Sequence, residues 1–159
     1  MIDPRHLLEH VIRPVLRDLG LWSVAAERLV LGTACQESAC GRYLVQIGGP
    51  AKGIFQMEPA THDDIWGNFL VYRDDLQVKI LKWRTDSEVI SSVNEMIGNL
   101  YYATAMCRVH YLRVPEPIPD DLHGQAQYWK KNYNSELGKG TVEEYMNNWN
   151  RFVSPQVLA

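Results

Sequence analysis

The stretch Leu29-Val30-Leu31-Gly32-Thr33-Ala34-Cys35-Gln36-Glu37-Ser38-Ala39-Cys40-Gly41 runs from a largely apolar helix interior into an acid, a serine and a glycine. Ser23 supplies an N-cap for this helix, and Val24, Ala25, Leu29, Val30 and Ala34 form the face that carries the chain to Glu37. A carboxyl at the end of a core helix is partly desolvated, and the helix dipole disfavours its charge by a further ~0.3–1 kcal/mol. Both effects lift its pKa from about 4.3 toward 6. Such a group can hand over a proton near neutral pH.

The flanking sequence predicts more helix. Asp3-Pro4 is an N-cap with proline at the first helical position, followed by Leu7, Leu8, Val11, Ile12, Val15, Leu16 and Leu19 at helical spacing, with Gly20 as the stop. Pro14 lies off that stripe and is expected to bend it. Residues 38–58 hold Gly41, Gly48, Gly49, Pro50 and Gly53, which favours loop or a short β-hairpin forming one wall of a cleft. Pro59 restarts helix, with Ile65, Trp66, Phe69 and Leu70 facing in, and a further helix is expected over Asp75 to Trp83. Ser87 to Leu112 is apolar on most sides and reads as the central helix, broken near Asn94 or Gly98. Pro115, Pro117 and Pro119 mark a connection; helix follows over 123–134, and Thr141-Val142-Glu143-Glu144 is a capping box opening the last one, through Phe152.

Length and composition point to one globular domain over residues 1–159. An apolar fraction of 46% with 22% charged residues excludes a disordered chain. A net charge of −3 argues against a nucleic-acid partner, which requires clustered Lys and Arg. No apolar run approaches the roughly 20 residues of a membrane span. The odd count of Cys35, Cys40 and Cys107 reads as three thiols from a reducing cytoplasm, and Cys35 and Cys40, straddling Glu37 on one helix end, are awkwardly placed for a disulfide.

A second run, Gly53-Ile54-Phe55-Gln56-Met57-Glu58-Pro59-Ala60-Thr61, follows the acid closely. An E-S, a glycine-rich loop and then this G-I-F-Q-M-E-P-A-T resembles the lytic transglycosylase and goose-type lysozyme superfamily, whose pattern is E-S, G-L-M-Q and P-x-T. Asn99-Leu100-Tyr101-Tyr102-Ala103 is similar to the family's N-I-x-x-G helix, with alanine where glycine is usual, and Tyr133-Asn134-Ser135 is similar to its Y-N-A-G turn. These pieces span residues 33 to about 145. Phage-encoded wall lysins and virion-borne wall-piercing enzymes look especially similar around residues 53–66.

The resemblance implies an all-α domain, α+β in the lysozyme sense, with a small β-hairpin or loop wing. It implies cleavage of the MurNAc–GlcNAc β-1,4 linkage of peptidoglycan glycan strands, with Glu37 as acid and then base. Ser38 would sit near the substrate or cap the helix end. Gly53 would let the backbone approach the glycan, and Phe55 would support a sugar ring or join the core. Gln56 would hydrogen-bond the sugar. The Tyr133 hydroxyl would reach the catalytic carboxyl over a turn shaped by Asn134, and Tyr102 or its neighbour Tyr101 would face the cleft. Lytic transglycosylases need one carboxylate, since the 6-hydroxyl of the muramoyl sugar attacks in place of water. A hydrolysing muramidase needs a second, for which Glu58 and Asp63 are the candidates; Glu58 stands where transglycosylases carry an apolar residue, and its alternative is an acidic cap ahead of Pro59. A glycan-binding or virion structural protein without turnover is the third reading.

No cofactor is implied. His62, Asp63 and Asp64 diverge by about 100° per helical step and are not expected to hold a metal. The N-terminus lacks a basic segment followed by an apolar one, so delivery to the bacterial wall is expected through a holin or as part of a phage particle or tail.

Overall fold

Ser23 opens the helix that ends in Glu37: its Oγ accepts the Ala26 N–H at 3.0 Å, and helix runs from Val24 to Ser38. In this computed structural model, which describes residues 1–85, 89–135 and 137–159, the protein is mostly helical. The helices are α1 (Pro4–Leu7), α2 (Arg13–Asp18), α3 (Val24–Ser38), α4 (Pro59–Asn68), α5 (Asp74–Leu81), α6 (Ser92–Gly98), α7 (Leu100–Leu112), α8 (Leu122–Trp129) and α9 (Val142–Phe152).

The first helix is capped by Asp3, whose Oδ1 accepts from the backbone of Arg5 and His6. Around Pro14 the helix changes form. Ahead of it Leu8–Ile12 forms a wider turn, and the Arg13 N–H reaches back five residues to the Leu8 carbonyl. Proline lacks an N–H and its ring presses on the carbonyl four residues back; a wider turn absorbs both. Leu7, Leu8, Ile12, Val15 and Leu16 stay fully buried across the defect.

α3 lies at the middle of the molecule, packed against α7, α8 and α9. Leu29 to Cys35 are buried without interruption, so the helix has no solvent face there. Gly32 is required by α9: a Cβ on it would collide with the Tyr145 hydroxyl. Thr33 Oγ1 meets the Tyr111 hydroxyl of α7 at 2.8 Å inside the core.

The central helix expected over Ser87 to Leu112, with a break near Asn94 or Gly98, is two helices. Ser87 lies outside the described residues; α6 starts after Ser91, and the break falls at Asn99, whose Oδ1 accepts the Tyr102 N–H at 3.0 Å and caps α7. Its Nδ2 donates to the Trp83 carbonyl at 2.7 Å. The Asn-Leu-Tyr-Tyr piece is therefore a helix joint. α7 shares the centre with α3, its residues Tyr102 to Val109 buried throughout.

The wing over residues 39–58 carries two isolated antiparallel bridges, Val45 to Lys52 and Lys52 to Met57, rather than a full hairpin among the described residues. The three prolines connect α7 to α8, α8 loosens into a wide turn over Lys130–Asn134, and α9 opens with the capping box of Thr141 and Glu144. Among the described residues no helix is long and apolar enough to cross a membrane.

Candidate active site

Glu37 sits in the last turn of α3 and is half-buried on the wall of a cleft of about 540 Å³. The wing contributes Gln46, Gln56 and Glu58, α4 contributes Thr61, and α7 contributes His110. Tyr133, Asn134 and the loop Gly138-Lys139-Gly140 close the remaining side. A cavity of about 490 Å³ lies at the other end of α3, around Ser23 and Arg108, but it holds no half-buried acid.

Among the described residues the Glu37 carboxyl has one hydrogen bond from a side chain. Trp129, fully buried on α8, donates its indole N–H to Oε1 at 2.8 Å. Burial pushes the pKa up and the indole bond pulls it down; burial prevails and the pKa stands at about 7, against 4.5 in water. The resemblance assigned this bond to Tyr133, and the structure corrects that. The Tyr133 hydroxyl donates instead to the Phe55 carbonyl at 2.8 Å, tying the wide turn after α8 to the wing. Trp129 was missed in the sequence, although it stands four residues before Tyr133, the spacing that puts two side chains on one helical face.

Ser38 is buried and its hydroxyl is fully engaged. It donates to the Ile54 carbonyl at 2.6 Å and accepts the Gly41 N–H at 2.9 Å, so it binds helix end to wing instead of facing the cleft. Gly53 has φ +77°, and a Cβ on it would run into the Met96 carbonyl; the close backbone approach it permits is to α6, not to a glycan. Phe55 is fully in the core. Tyr102 is too: its hydroxyl meets His62 Nε2 at 2.7 Å and accepts the Trp66 indole N–H at 2.9 Å, and the same imidazole meets solvent-facing Asp63 through Nδ1 at 3.0 Å.

Gln56 lines the cleft in the left-handed region, φ +48°, a conformation costing a non-glycine residue about 1–2 kcal/mol. Its Nε2 donates to the Gly53 carbonyl at 2.9 Å. Asn134 Oδ1 accepts from Lys130 Nζ at 2.8 Å, and the same ammonium donates to the Gly138 carbonyl at 2.7 Å, which holds the 138–140 loop against the cleft. Gly140 is forced by Trp129, whose ring a Cβ would meet at 2.6 Å. Glu58 is exposed and occupies the N-cap position of α4 ahead of Pro59, where its charge faces the helix dipole, but its side chain makes no capping hydrogen bond.

His110 adds no charge at neutral pH. Burial drops its pKa to about 4; its Nε2–H donates to the Asn132 carbonyl at 3.0 Å, and Arg113 donates to Nδ1 at 3.3 Å. Among the described residues no group of three or more His, Cys, Asp or Glu side chains gathers to hold a metal ion. The cleft thus offers one carboxyl that is substantially protonated at pH 7, surrounded by amides and hydroxyls that hydrogen-bond without competing for its proton.

Comparison with protein-family models, with curated proteins and with solved structures finds no match to this chain.

Proposed function

We propose that the chain is a lysozyme-like, peptidoglycan-degrading glycosidase that cleaves the MurNAc–GlcNAc β-1,4 bond, with Glu37 as its acid and then its base. The observation that carries this reading is the half-buried Glu37 carboxyl, pKa about 7, opening on a cleft walled by amides and hydroxyls. A glycosidic oxygen leaves poorly until it is protonated, and an acid with a pKa near the working pH is the best donor.

On this reading the Glu37 proton passes to the leaving oxygen as the C1–O bond breaks. The carboxylate then takes the proton of the muramoyl 6-hydroxyl as O6 bonds to C1. The product is a 1,6-anhydro sugar, and Glu37 ends protonated as it began. Gln46, Gln56 and Asn134 supply hydrogen bonds to sugar hydroxyls. The protein would act at the bacterial wall, released by a holin or carried by a phage particle.

Glu58 favours a second reading, a hydrolysing muramidase. It lines the same cleft, is exposed and makes no cap bond, which leaves it available to orient water. Mass spectrometry of fragments from purified peptidoglycan decides: anhydromuramoyl ends support the transglycosylase, reducing ends the hydrolase. Binding without release would overturn both in favour of a glycan-binding or virion structural protein.

A further inference from the structure

The Sγ atoms of Cys35 and Cys40 lie 2.9 Å apart, both buried, on either side of Glu37 in sequence. On a straight helix, side chains five positions apart diverge, which is why the sequence argued against a bond. The chain does not stay straight. Ala39 and Cys40 both enter the left-handed region, φ 49° and 54°, and the N–H groups of both donate to the Ala34 carbonyl. This closure folds the chain back over the last turn of α3 and sets Cys40 against Cys35. Disulfide sulfurs stand about 2.05 Å apart, so bond formation needs roughly 0.9 Å of movement. Cys107 lies on α7, beside the Tyr133 hydroxyl.

We propose that Cys35 and Cys40 are a modification site, forming an intramolecular disulfide by exchange with a small-molecule disulfide such as oxidised glutathione. One cysteine thiolate attacks a glutathione sulfur and releases one glutathione thiol. The other cysteine attacks the mixed disulfide and releases the second. One S–S bond breaks and one forms; two electrons and two protons pass from the cysteine pair to two small thiols. The contact with Cys40, together with burial, holds the Cys35 thiol protonated in the closed fold. The first attack therefore comes from an opened turn or during folding, and exchange into the folded protein is slow. Once formed, the bond clamps two non-glycine residues in left-handed backbone and fixes the turn that follows Glu37. Its formation depends on that turn alone, whatever the cleft cleaves.

The test refolds the full-length protein from denaturant in buffers of rising oxidised-to-reduced glutathione ratio, followed by acid quench, alkylation and mass measurement. Arg28 and Arg42 bracket both cysteines, so trypsin releases them in one peptide. The expected result is that this peptide becomes two hydrogens lighter and unalkylated in the natural protein and in Cys107→Ala alike, with Cys107 alkylated in the natural protein and a higher melting temperature for the oxidised form. Three alkylated thiols at the most oxidising ratio, a bond to Cys107, or stable glutathione adducts in place of the internal bond would overturn the proposal. An oxidised form that melts no higher than the reduced one would overturn the clamp.

Discussion

Trp129 donates its indole N–H to Oε1 of Glu37 across 2.8 Å, from a ring with no exposed surface, and so joins α8 to the end of α3 at the candidate catalytic atom. The bond does two things at once. It fixes the carboxyl rotamer, and it stabilises the charged form, pulling the pKa down against the burial that raises it to about 7.

Trp129→Phe keeps an aromatic ring and removes the donor. A hydrogen bond to the charged form lowers an acid's pKa, so its loss raises that of Glu37. The alkaline limb of the pH–rate profile for wall degradation is expected to move up by about 1 unit, with a lower rate from a looser carboxyl. A pH–rate profile measured at temperatures where both proteins are folded checks this; an unmoved limb contradicts it.

Glu37 also links stability to pH. It binds its proton more tightly folded, with a pKa of about 7, than in water at 4.5, so between these values the native state holds the extra proton and stability falls as pH rises. Glu37→Gln lacks this loss and is expected to be the more stable protein at pH 7–8, by about 1–3 kcal/mol relative to the difference at pH 4. His110, lowered to about 4, pulls the opposite way over an overlapping window, its contribution shrinking as pH falls from 6.5. Denaturant titrations of the two proteins side by side cancel His110 and isolate Glu37.

Tyr133 separates the resemblance from the geometry. Its hydroxyl holds the Phe55 carbonyl, not the Glu37 carboxyl. Tyr133→Phe is therefore expected to cost about 1 kcal/mol of stability and to leave the pH limb of Glu37 in place. A limb shift as large as that of Trp129→Phe would restore the direct contact.

The helical class and the position of Glu37 at a helix end were legible because local signals agreed: Ser23 as cap, an uninterrupted apolar run, then Gly41. The capping box at Thr141 was legible for the same reason. Contacts between distant segments were not. Trp129 reaches Glu37 across 92 positions, and its spacing of four from Tyr133 marks a shared helical face without saying which of the two is the donor. Gly53 was expected to let the backbone approach a glycan, and the neighbour it makes room for is the Met96 carbonyl. The Cys35–Cys40 contact was hidden by assuming a straight helix where two left-handed residues reverse the chain. The break expected near Asn94 or Gly98 falls just after Gly98, where Asn99 caps the second half, a role its sequence neighbours did not announce.

Glu58→Gln distinguishes the two enzymatic readings. With one-carboxylate chemistry, activity is expected to stay within a few-fold of the natural protein and the product ends to remain anhydromuramoyl. A fall of roughly 10²–10⁴-fold would assign Glu58 the role of base. The absence of a side-chain cap bond means that folding should change little either way.

The most direct measurement is fragment release from purified peptidoglycan by the natural protein and by Glu37→Gln, at pH 7 and equal folded concentration. The amide keeps an oxygen for the Trp129 N–H but has no proton to give. Release by the natural protein and a loss of 10³-fold or more in the variant is the predicted result; equal release by both proteins would remove Glu37 from the chemistry and contradict the account.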